Sequence, residues 1–398
     1  MPSLTTTVRS AFLLAATAGL GVNGAPTTIS KRGPTCSEVN LSVTITAENH
    51  AVPQYLVDGL SGASLTAGGV EGLLNGVGNE LQLAVVNGTY NIAGLFCEPE
   101  AQVAGRSDSV QLLVHGIGND RHYWTGGVDE VERYSWIAHA SQQGYPVLAI
   151  DRLGAGASDR PDPVAVVQKP VHVEIVHQVA QALRAGSVAG IDRAFARVAY
   201  VGHSFGSLIG NTLAARYPDD VDAVLLTGYT SEIKQAIPGF LVTSGGAPAA
   251  LVDPARFAAL LPKPGYQLMS FESGVRGLVF TNTPSEWDAA VVKSEYRNRQ
   301  TFTLGEAVST VFVNDVADDY TKPVLVLTGH KDQFFCALAL PLLGEGDCTG
   351  YGEKTARLFP NADYRFQEIA NTGHALNFHY SSNETFAAAH DFLESAGF

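Results

Sequence analysis

A serine stands between two glycines at the point where a strand-like stretch ends and a helix-like stretch begins. The motif Gly202-His203-Ser204-Phe205-Gly206 follows the apolar run 198–201 and precedes the helix-like segment 207–217. A Gly-x-Ser-x-Gly turn between a strand and a helix holds its serine in strained geometry with the hydroxyl exposed. Small flanking residues let the helix pack close to the strand. The pattern therefore predicts that Ser204 is a nucleophile.

A serine hydroxyl becomes an effective nucleophile when a base takes its proton, and a carboxylate commonly orients that base. In an open α/β sheet, functional groups gather at the carboxyl ends of the strands. Asp332 follows the apolar run 324–327, and His374 follows the last strand-like run, 364–369. The order Ser, Asp, His is one of the known orders for such triads. Ser204, Asp332 and His374 are therefore the predicted catalytic residues.

Other acids and histidines near these positions remain alternatives. His379 lies five residues after His374 and would need a longer loop excursion to act as the base. We expect His203 to pack beside the serine turn and the ring of His115 to be structural. The alternative acids lie farther from a strand end than Asp332, and they are Asp315, Asp318, Asp319 and Asp347.

Elements that could position these residues follow one another from residue 109 onward. Near-continuous apolar strands alternating with helices are typical of a parallel sheet covered on both faces. The predicted fold class is therefore α/β, with a mostly parallel central sheet flanked by helices. The strand-like runs are 110–114, 146–150, 198–201, 223–226, 323–327 and 364–369, and the helix-like segments include 134–143, 172–185, 351–359 and 383–396.

The first hundred residues have a different pattern. Residues 39–47 alternate between apolar and polar types like a strand exposed on one face. The runs 81–86 and 90–96 are separated by Asn87-Gly88, which is a strong hairpin signal. Residues 33–100 are therefore predicted to form antiparallel strands at the start of the sheet.

The alternation of strands and helices breaks near residue 229 and resumes near residue 321. Short helical pieces at 253–261 and 285–299 lie in this interval, with apolar residues such as Leu268 and Phe280 available for burial. We predict a cap, residues 229–320, inserted between the sixth and seventh strands of the sheet. The two parts of the core are then residues 33–228 and 321–398.

The N-terminus has the features of an export signal. Arg9 supplies a positive charge, residues 11–20 form a short apolar core, and small residues at 22–25 offer a cleavage site. Lys31-Arg32 is either a dibasic processing site or an ordinary charged pair in the leader. Residues 1–32 are predicted to be a signal peptide and propeptide, and the protein is predicted to be secreted.

Cysteine usage agrees with export. An even number of cysteines in a secreted chain indicates disulfides, and four cysteines permit three connectivities. Pairing by proximity along the chain favours Cys36–Cys97 and Cys336–Cys348. The glycosylation sequons begin at Asn40, Asn87 and Asn383.

Composition excludes several classes of protein. The chain has 398 residues, 45% of them hydrophobic and 16% charged, which is typical of a globular protein rather than a disordered one. A net charge of −14 disfavours nucleic acid and anionic membranes as partners. The apolar segment of the leader is too short to span a bilayer, no later stretch qualifies, and the cysteine and histidine spacing predicts no metal site.

Together with the serine turn, three further motifs carry a resemblance to a known family. Leu113-Val-His-Gly-Ile117 follows one strand, Asp151-Arg-Leu-Gly-Ala-Gly-Ala-Ser158 follows the next, and Thr372-Gly-His-Ala-Leu-Asn377 contains the predicted base. Over residues 100–398 the chain resembles enzymes of the α/β-hydrolase fold, and its leader is similar to that of secreted fungal esterases and lipases. In this family a serine nucleophile argues against dehalogenase or epoxide-hydrolase chemistry, which uses aspartate.

The resemblance implies an oxyanion hole formed by the backbone N–H groups of Ile117 and Phe205. Phe205 lies at a helix N-terminus, where orphan donors and the helix dipole favour an anion. Tyr123 and Trp124 lie close to the oxyanion loop and are possible pocket residues.

The implied reaction is hydrolysis of a carboxylic ester or lactone of an apolar small molecule, without a cofactor. Acyl transfer, peptidase action or tailoring of a secondary metabolite could use the same triad. From a different class of function, the chain could be a binding protein that sequesters a small ligand on a hydrolase scaffold.

Overall fold

The computed structural model describes residues 33–54, 81–233, 245–310, 314–336 and 345–398. The predicted leader, residues 1–32, lies outside these described residues. The described strands are β1 Thr35–His50, β2 Leu83–Glu98, β3 Ser109–Val114, β4 Val147–Ile150, β5 Arg197–His203, β6 Ala223–Thr227, β7 Ala247–Pro248, β8 Tyr266–Leu268, β9 Phe302–Thr303, β10 Val324–Gly329 and β11 Tyr364–Ile369. The described helices are α1 Trp136–Gln142, α2 Lys169–Ala185, α3 Phe205–Arg216, α4 Ala249–Val252, α5 Pro254–Phe257, α6 Glu272–Val279, α7 Ala289–Asn298, α8 Leu304–Ser309, α9 Tyr351–Ala356 and α10 Ser382–Ser395.

Eight of these strands form one sheet in the order β1-β2-β4-β3-β5-β6-β10-β11. The six strands from β4 to β11 in this order run parallel, whereas β2 is antiparallel to both β1 and β4. This topology confirms the predicted α/β class, with a mostly parallel sheet and antiparallel strands at its N-terminal edge. It also brings the carboxyl ends of β3, β5 and β10 to one edge, where the candidate site lies.

Apolar side chains cover both faces of the parallel strands. All residues of β3, β4, β6 and β10 are buried. Because successive side chains of a strand point to opposite faces, Leu112 belongs to the core that contains α2 and α3, whereas Leu113 belongs to the core that contains α1 and α10. Burial on both faces explains why these strands are nearly continuous apolar runs in the sequence.

The N-terminal strands are half-exposed, and one predicted detail is wrong. Along β1 every second residue from Val39 to Ala47 is buried, and this face joins the core that contains α2. The Asn87-Gly88 hairpin does not form: β2 continues through both residues, which pair with Thr46 and Ile45 of β1. Because β1 and β2 both have 16 residues, β1 pairs with β2 along its whole length. This pairing outweighs the local preference of Asn87-Gly88 for a turn.

Two disulfides join the cysteine pairs that are adjacent in sequence. Cys36 and Cys97 face each other across β1 and β2, and Cys336–Cys348 closes the loop that begins after β10. The three sequon asparagines are exposed, which glycosylation requires, and their occupancy stays a prediction: Asn40, Asn87 and Asn383.

Removing the first disulfide is expected to cost more stability than removing the second. Their sequence separations are 61 and 12 residues, so in the chain-entropy model Cys36→Ala/Cys97→Ala should lower the free energy of unfolding by about 4 kcal/mol and Cys336→Ala/Cys348→Ala by about 3 kcal/mol. Urea unfolding of both double variants beside the wild type measures this. A larger loss of unfolding free energy in Cys336→Ala/Cys348→Ala than in Cys36→Ala/Cys97→Ala would contradict the chain-entropy model.

Between β6 and β10 the chain leaves the main sheet. Within the described part of this interval, β7, β8 and β9 form a separate antiparallel sheet. Along the chain, α6 and α7 lie between β8 and β9, and α8 follows β9. The cap boundaries, residues 229–320, stay a prediction. No helix in the described residues is long and apolar enough to cross a membrane.

Candidate active site

The turn that joins β5 to α3 holds Ser204 in a strained backbone conformation. Ser204 has φ 53° and ψ −114°, and a positive φ is uncommon for a residue other than glycine. Its N–H donates to the carbonyl oxygen of Thr227 at 2.9 Å, which ties the turn to β6. A Cβ at position 206 would overlap the carbonyl oxygen of Val114. Gly206 thus lets the start of α3 pack directly on the end of β3.

The structure brings the three predicted catalytic side chains into one hydrogen-bonded chain. Ser204 Oγ lies 2.8 Å from His374 Nε2, and His374 Nδ1 lies 2.8 Å from Asp332 Oδ2. An ionised carboxylate only accepts hydrogen bonds, so Nδ1 carries the imidazole proton and Nε2 presents its lone pair to the serine hydroxyl. The arrangement is able to remove the Ser204 proton and to stabilise the imidazolium that results.

The loop after β10 fixes the carboxylate of Asp332. Asp332 is fully buried, and its Oδ1 accepts the N–H groups of Phe334 at 2.8 Å and Phe335 at 2.9 Å. Cys336 follows directly, and its N–H donates to the Asp332 carbonyl at 3.2 Å. The Cys336–Cys348 disulfide therefore tethers the chain four residues after the acid.

None of the alternative histidines and acids occupies the position of His374 or Asp332. His379 Nε2 accepts the N–H of Gly373 at 3.1 Å, and burial lowers the pKa of His379 to about 4. His203 stacks on Tyr123 with ring centroids 4.3 Å apart, and burial together with His374 lowers its pKa well below the usual value. The other acids do not contact the base: Asp318, Asp319 and Asp347 are exposed, and Asp315 accepts the hydroxyl of Thr212.

The backbone N–H groups of Ile117 and Phe205 are the predicted donors of an oxyanion hole. Phe205 is the first residue of α3, where its N–H has no intrahelical acceptor. Arg152 donates to the carbonyl oxygens of His115 at 3.0 Å and Gly116 at 3.1 Å. Because the C=O and N–H of a trans peptide point in opposite directions, holding the Gly116 carbonyl directs the N–H of Ile117 away from Arg152.

A buried ion pair anchors Arg152 to the segment between β6 and β10. The Arg152 guanidinium contacts Glu306 on α8, and His172 lies 3.1 Å from the same carboxylate oxygen. Burial alone would raise the pKa of Glu306, but Arg152 and His172 outweigh it and hold this pKa at about 2. Glu306 is therefore ionised at neutral pH and fixes the residue that holds the oxyanion turn.

A cavity opens over Ser204 and is lined mainly by apolar side chains. Its walls combine the oxyanion loop, the start of α3 and the helices between β6 and β10. Apolar lining residues include Leu208, Met269, Val275, Leu278, Phe334 and Phe378. Such a pocket favours an apolar ligand.

The two predicted pocket residues have different positions. Tyr123 lines the cavity and burial raises its pKa well above the usual value. Trp124 does not line this cavity: it is fully buried and packs edge-on against Tyr123 and Trp136. The two adjacent side chains of the short helical turn Arg121–Trp124 diverge, so only the first reaches the site.

Sequence reasoning did not identify Glu295, which lines the same cavity. Glu295 lies on α7, four residues after Val291 and four before Arg299. This spacing places Glu295 on the same side of the helix as those two buried residues. An acid between buried positions at helical spacing was the sequence pattern that could have indicated a functional residue. Burial, reinforced by Asp120 and Asp129, raises the pKa of Glu295 to about 8.

The chain belongs to the alpha/beta hydrolase family, whose sequence model matches residues 111–389. This match covers the serine turn and the loops that carry Asp332 and His374, and it agrees with the predicted superfamily. No curated protein sequence matches the chain. Within the described residues, no group of three or more His, Cys, Asp or Glu side chains is arranged to hold a metal ion.

Several solved structures are similar to this chain at low sequence identity. A hydrolase from Pseudomonas aeruginosa PA01 is 19% identical, with 76% of this chain and 94% of that chain covered and a TM-score of 0.48. Epoxide Hydrolase A from Mycobacterium thermoresistibile is 18% identical, with coverages of 76% and 95% and a TM-score of 0.48. A thermophilic esterase from Thermogutta terrifontis is 15% identical, with coverages of 78% and 95% and a TM-score of 0.44.

Proposed function

We propose that this protein is a secreted serine hydrolase that cleaves a carboxylic ester or lactone of an apolar small molecule. The observation that carries the proposal is the hydrogen-bonded chain from Ser204 through His374 to Asp332, which opens into a largely apolar cavity. The finer likeness to secreted fungal esterases and lipases rests on the leader and the two disulfides, which suit an oxidising compartment.

In the first half of the proposed reaction, Ser204 Oγ attacks the ester carbonyl carbon while His374 Nε2 takes the hydroxyl proton. The carbonyl oxygen becomes an oxyanion that accepts hydrogen bonds from the N–H groups of Ile117 and Phe205. A preorganised donor of this kind contributes about 3–4 kcal/mol to transition-state stabilisation. The tetrahedral species then collapses, the C–O bond of the alcohol breaks, and the alcohol leaves with the proton from His374.

In the second half, water attacks the acyl-enzyme carbonyl and gives its proton to His374 Nε2. Collapse of the second tetrahedral species breaks the bond to Ser204, whose oxygen recovers the proton, and releases the carboxylic acid. With a lactone, the alcohol and the acid remain parts of one molecule. Asp332 keeps the imidazole oriented throughout.

Residues 229–320 are proposed to act as a cap over the catalytic serine. Helices α6, α7 and α8 lie within this range, and each contributes to the cavity wall, for example through Leu278, Glu295 and Ala307. A cap that supplies much of the wall would determine which substrates enter, because a closed apolar pocket excludes water and large polar groups.

A fluorophosphonate probe tests the nucleophile directly, because such probes react with activated serines. We expect the native protein to be labelled and Ser204→Ala to remain unlabelled, while Ser187→Ala, which changes an exposed serine after α2, labels as the wild type does. Equal labelling of Ser204→Ala and wild type would show that another residue is the nucleophile, and no labelling of native protein would favour a ligand-binding role.

A panel of aliphatic esters, lactones and amides, with Ser204→Ala as the blank, then defines the reaction. Hydrolysis of esters or lactones supports the proposal. Preferential cleavage of amides would indicate a peptidase. Formation of a new ester when an alcohol is added, without release of the free acid, would indicate acyl transfer. Turnover of a polyfunctional lactone without net hydrolysis would indicate a tailoring step.

A further inference from the structure

One carboxyl group in the cavity wall has no role in the proposed catalytic steps. Glu295 lines the cavity that contains Ser204 and His374, and it reaches this position from the middle of α7. Most of the surrounding wall is apolar, formed by side chains such as Met269, Val275 and Phe378. A polar group at such a place fixes the orientation of a ligand more than it adds to general affinity.

The surroundings of Glu295 provide no counter-charge in direct contact. Asn119 Nδ2 donates to Oε2 at 3.3 Å, and no Lys, Arg or His nitrogen of the described residues forms an ion pair with the carboxyl group. Arg299 lines the cavity, but its guanidinium donates to the carbonyl oxygens of Met269 and Tyr296. The charges of Asp120, Asp129 and His122 act on Glu295, and the other ionisable residues that line the same cavity are Tyr123, His203, Arg299 and His374.

Burial and the two nearby acids favour the uncharged form of Glu295, and they outweigh the opposite effect of His122. Burial penalises the carboxylate, and the negative charges of Asp120 and Asp129 add to this penalty, so that the pKa of Glu295 is about 8. The Asp129 carboxylate accepts a hydrogen bond from the Ser294 hydroxyl at 2.6 Å and forms an ion pair with Arg297 at 3.7 Å. A carboxylic acid that stays protonated at neutral pH is a hydrogen-bond donor. Oε2 accepts from Asn119, and no described residue forms a hydrogen bond with Oε1, so the carboxyl group keeps free hydrogen-bonding capacity.

We propose that Glu295 forms the polar subsite of the cavity and donates a hydrogen bond to an uncharged oxygen of the substrate. The substrate class is then an apolar ester or lactone that carries a second acceptor oxygen, such as a ketone or an ether, away from the bond that is cleaved. This inference rests on the proposed function, since it assumes that Ser204 acts on the same ligand. Carboxylate-bearing substrates are disfavoured because burying their charge in a largely apolar pocket is costly, and the Arg299 guanidinium in the wall already donates to backbone carbonyl oxygens.

A matched pair of esters tests the subsite. One ester has a plain aliphatic chain. In the other ester, one CH₂ of that chain is replaced by a ketone C=O or by an ether oxygen. We expect the wild type to favour the oxygen-bearing ester by about 10-fold in kcat/KM, the value of one additional hydrogen bond in a buried site. In Glu295→Leu the ratio of the two kcat/KM values should fall to about one. In Glu295→Gln the ratio should persist, because the amide N–H still donates.

The pH dependence of this ratio separates a donor from a merely structural residue. Glu295 is protonated below its pKa of about 8 and ionised above it, so the wild-type preference should be lost as the pH rises through this value. In Glu295→Gln the ratio should stay constant over the same range. The base His374 acts on both esters, so its titration cancels from the ratio. Glu272→Gln, which changes an exposed acid on α6, is the matched control and should behave as the wild type.

Binding provides a readout that does not depend on turnover. The same two esters can be titrated into Ser204→Ala and into Ser204→Ala/Glu295→Leu, and we expect a 10-fold difference in Kd in the first protein only. A wild-type ratio of one with active ester hydrolysis overturns the subsite and leaves the proposed function intact. Equal Kd values for both esters in Ser204→Ala overturn the subsite even if no ester is hydrolysed, whereas failure of hydrolysis with a 10-fold Kd difference overturns only the proposed reaction.

Discussion

Replacing Ser204 by alanine is expected to lower kcat for ester hydrolysis by about 10⁶-fold, and replacing His374 by alanine by a similar factor. The reason is mechanistic: Ser204 Oγ lies 2.8 Å from His374 Nε2, so each group depends on the other for proton transfer. The double variant Ser204→Ala/His374→Ala should therefore be about as slow as either single variant. Single-turnover measurements with a chromogenic ester provide the three rate constants.

The non-additivity is the discriminating result. If the rate losses of the two single variants multiplied in the double variant, the two residues would act independently and the triad assignment would be wrong. Ser187→Ala should retain the wild-type rate because that serine is exposed at the end of α2. Far-UV circular dichroism of each variant verifies that the comparison is between folded proteins.

Replacing Glu306 by glutamine is expected to destabilise the protein by about 3–5 kcal/mol, since it leaves the Arg152 guanidinium buried without a counter-charge. Arg152 and Glu306 are both almost completely buried and in contact. The loss should also reduce kcat, because Arg152 holds the carbonyl oxygens of His115 and Gly116 at the oxyanion turn. Urea unfolding measures the stability, and ester hydrolysis under native conditions measures kcat.

The pH dependence has a defined sign. Folding lowers the pKa of Glu306 from its usual value near 4.5 to about 2, so the stabilisation is fully present above about pH 4.5 and is lost as the pH falls toward 2. The difference in unfolding free energy between wild type and Glu306→Gln should shrink over this range. A difference that stays constant between pH 5 and pH 3 would contradict a stabilising ionised Glu306. The control, Glu272→Gln, changes an acid outside the network and should show no such trend.

A third variant separates stability from positioning. Arg152→Met/Glu306→Met removes both charges and should unfold at a higher urea concentration than Glu306→Gln, because no buried charge is left unpaired. Its kcat should remain low, since the carbonyl oxygens of the oxyanion turn have lost their donor. Recovery of kcat in this variant would show that Arg152 does not position the turn.

Several elements of the site could be predicted because their signals are local. The serine turn depends on contacts between residues a few positions apart, such as the strained φ of Ser204 and the close approach of Gly206 to β3. Asp332 and His374 could be proposed because each follows an apolar strand, and parallel strands end at a common edge of the sheet. Cys36–Cys97 and Cys336–Cys348 could be proposed from proximity along the chain.

Other features could not be predicted, because they depend on residues that are distant in sequence. The Asn87-Gly88 signal failed once β1 provided a long ladder partner. The local sequence gives no reason to prefer Tyr123 over Trp124 as a pocket residue. Trp124 instead packs against Trp136, which lies farther along the chain. The boundaries of the cap and the role of the leader remain predictions.

The sequence by itself determined the fold class and predicted the chemistry at Ser204, because apolar periodicity and short turn motifs are governed by neighbouring residues. Only the tertiary structure decided which distant groups influence one another: Glu306 contacts Arg152, and the charges of Asp120 and Asp129 act on Glu295. The protonation of a carboxyl group is set by burial and by the charges around it, and both arise only when the chain has folded. A glutamate is therefore ionised and paired with Arg152 at position 306, whereas burial and nearby acids favour the neutral form of the glutamate at position 295.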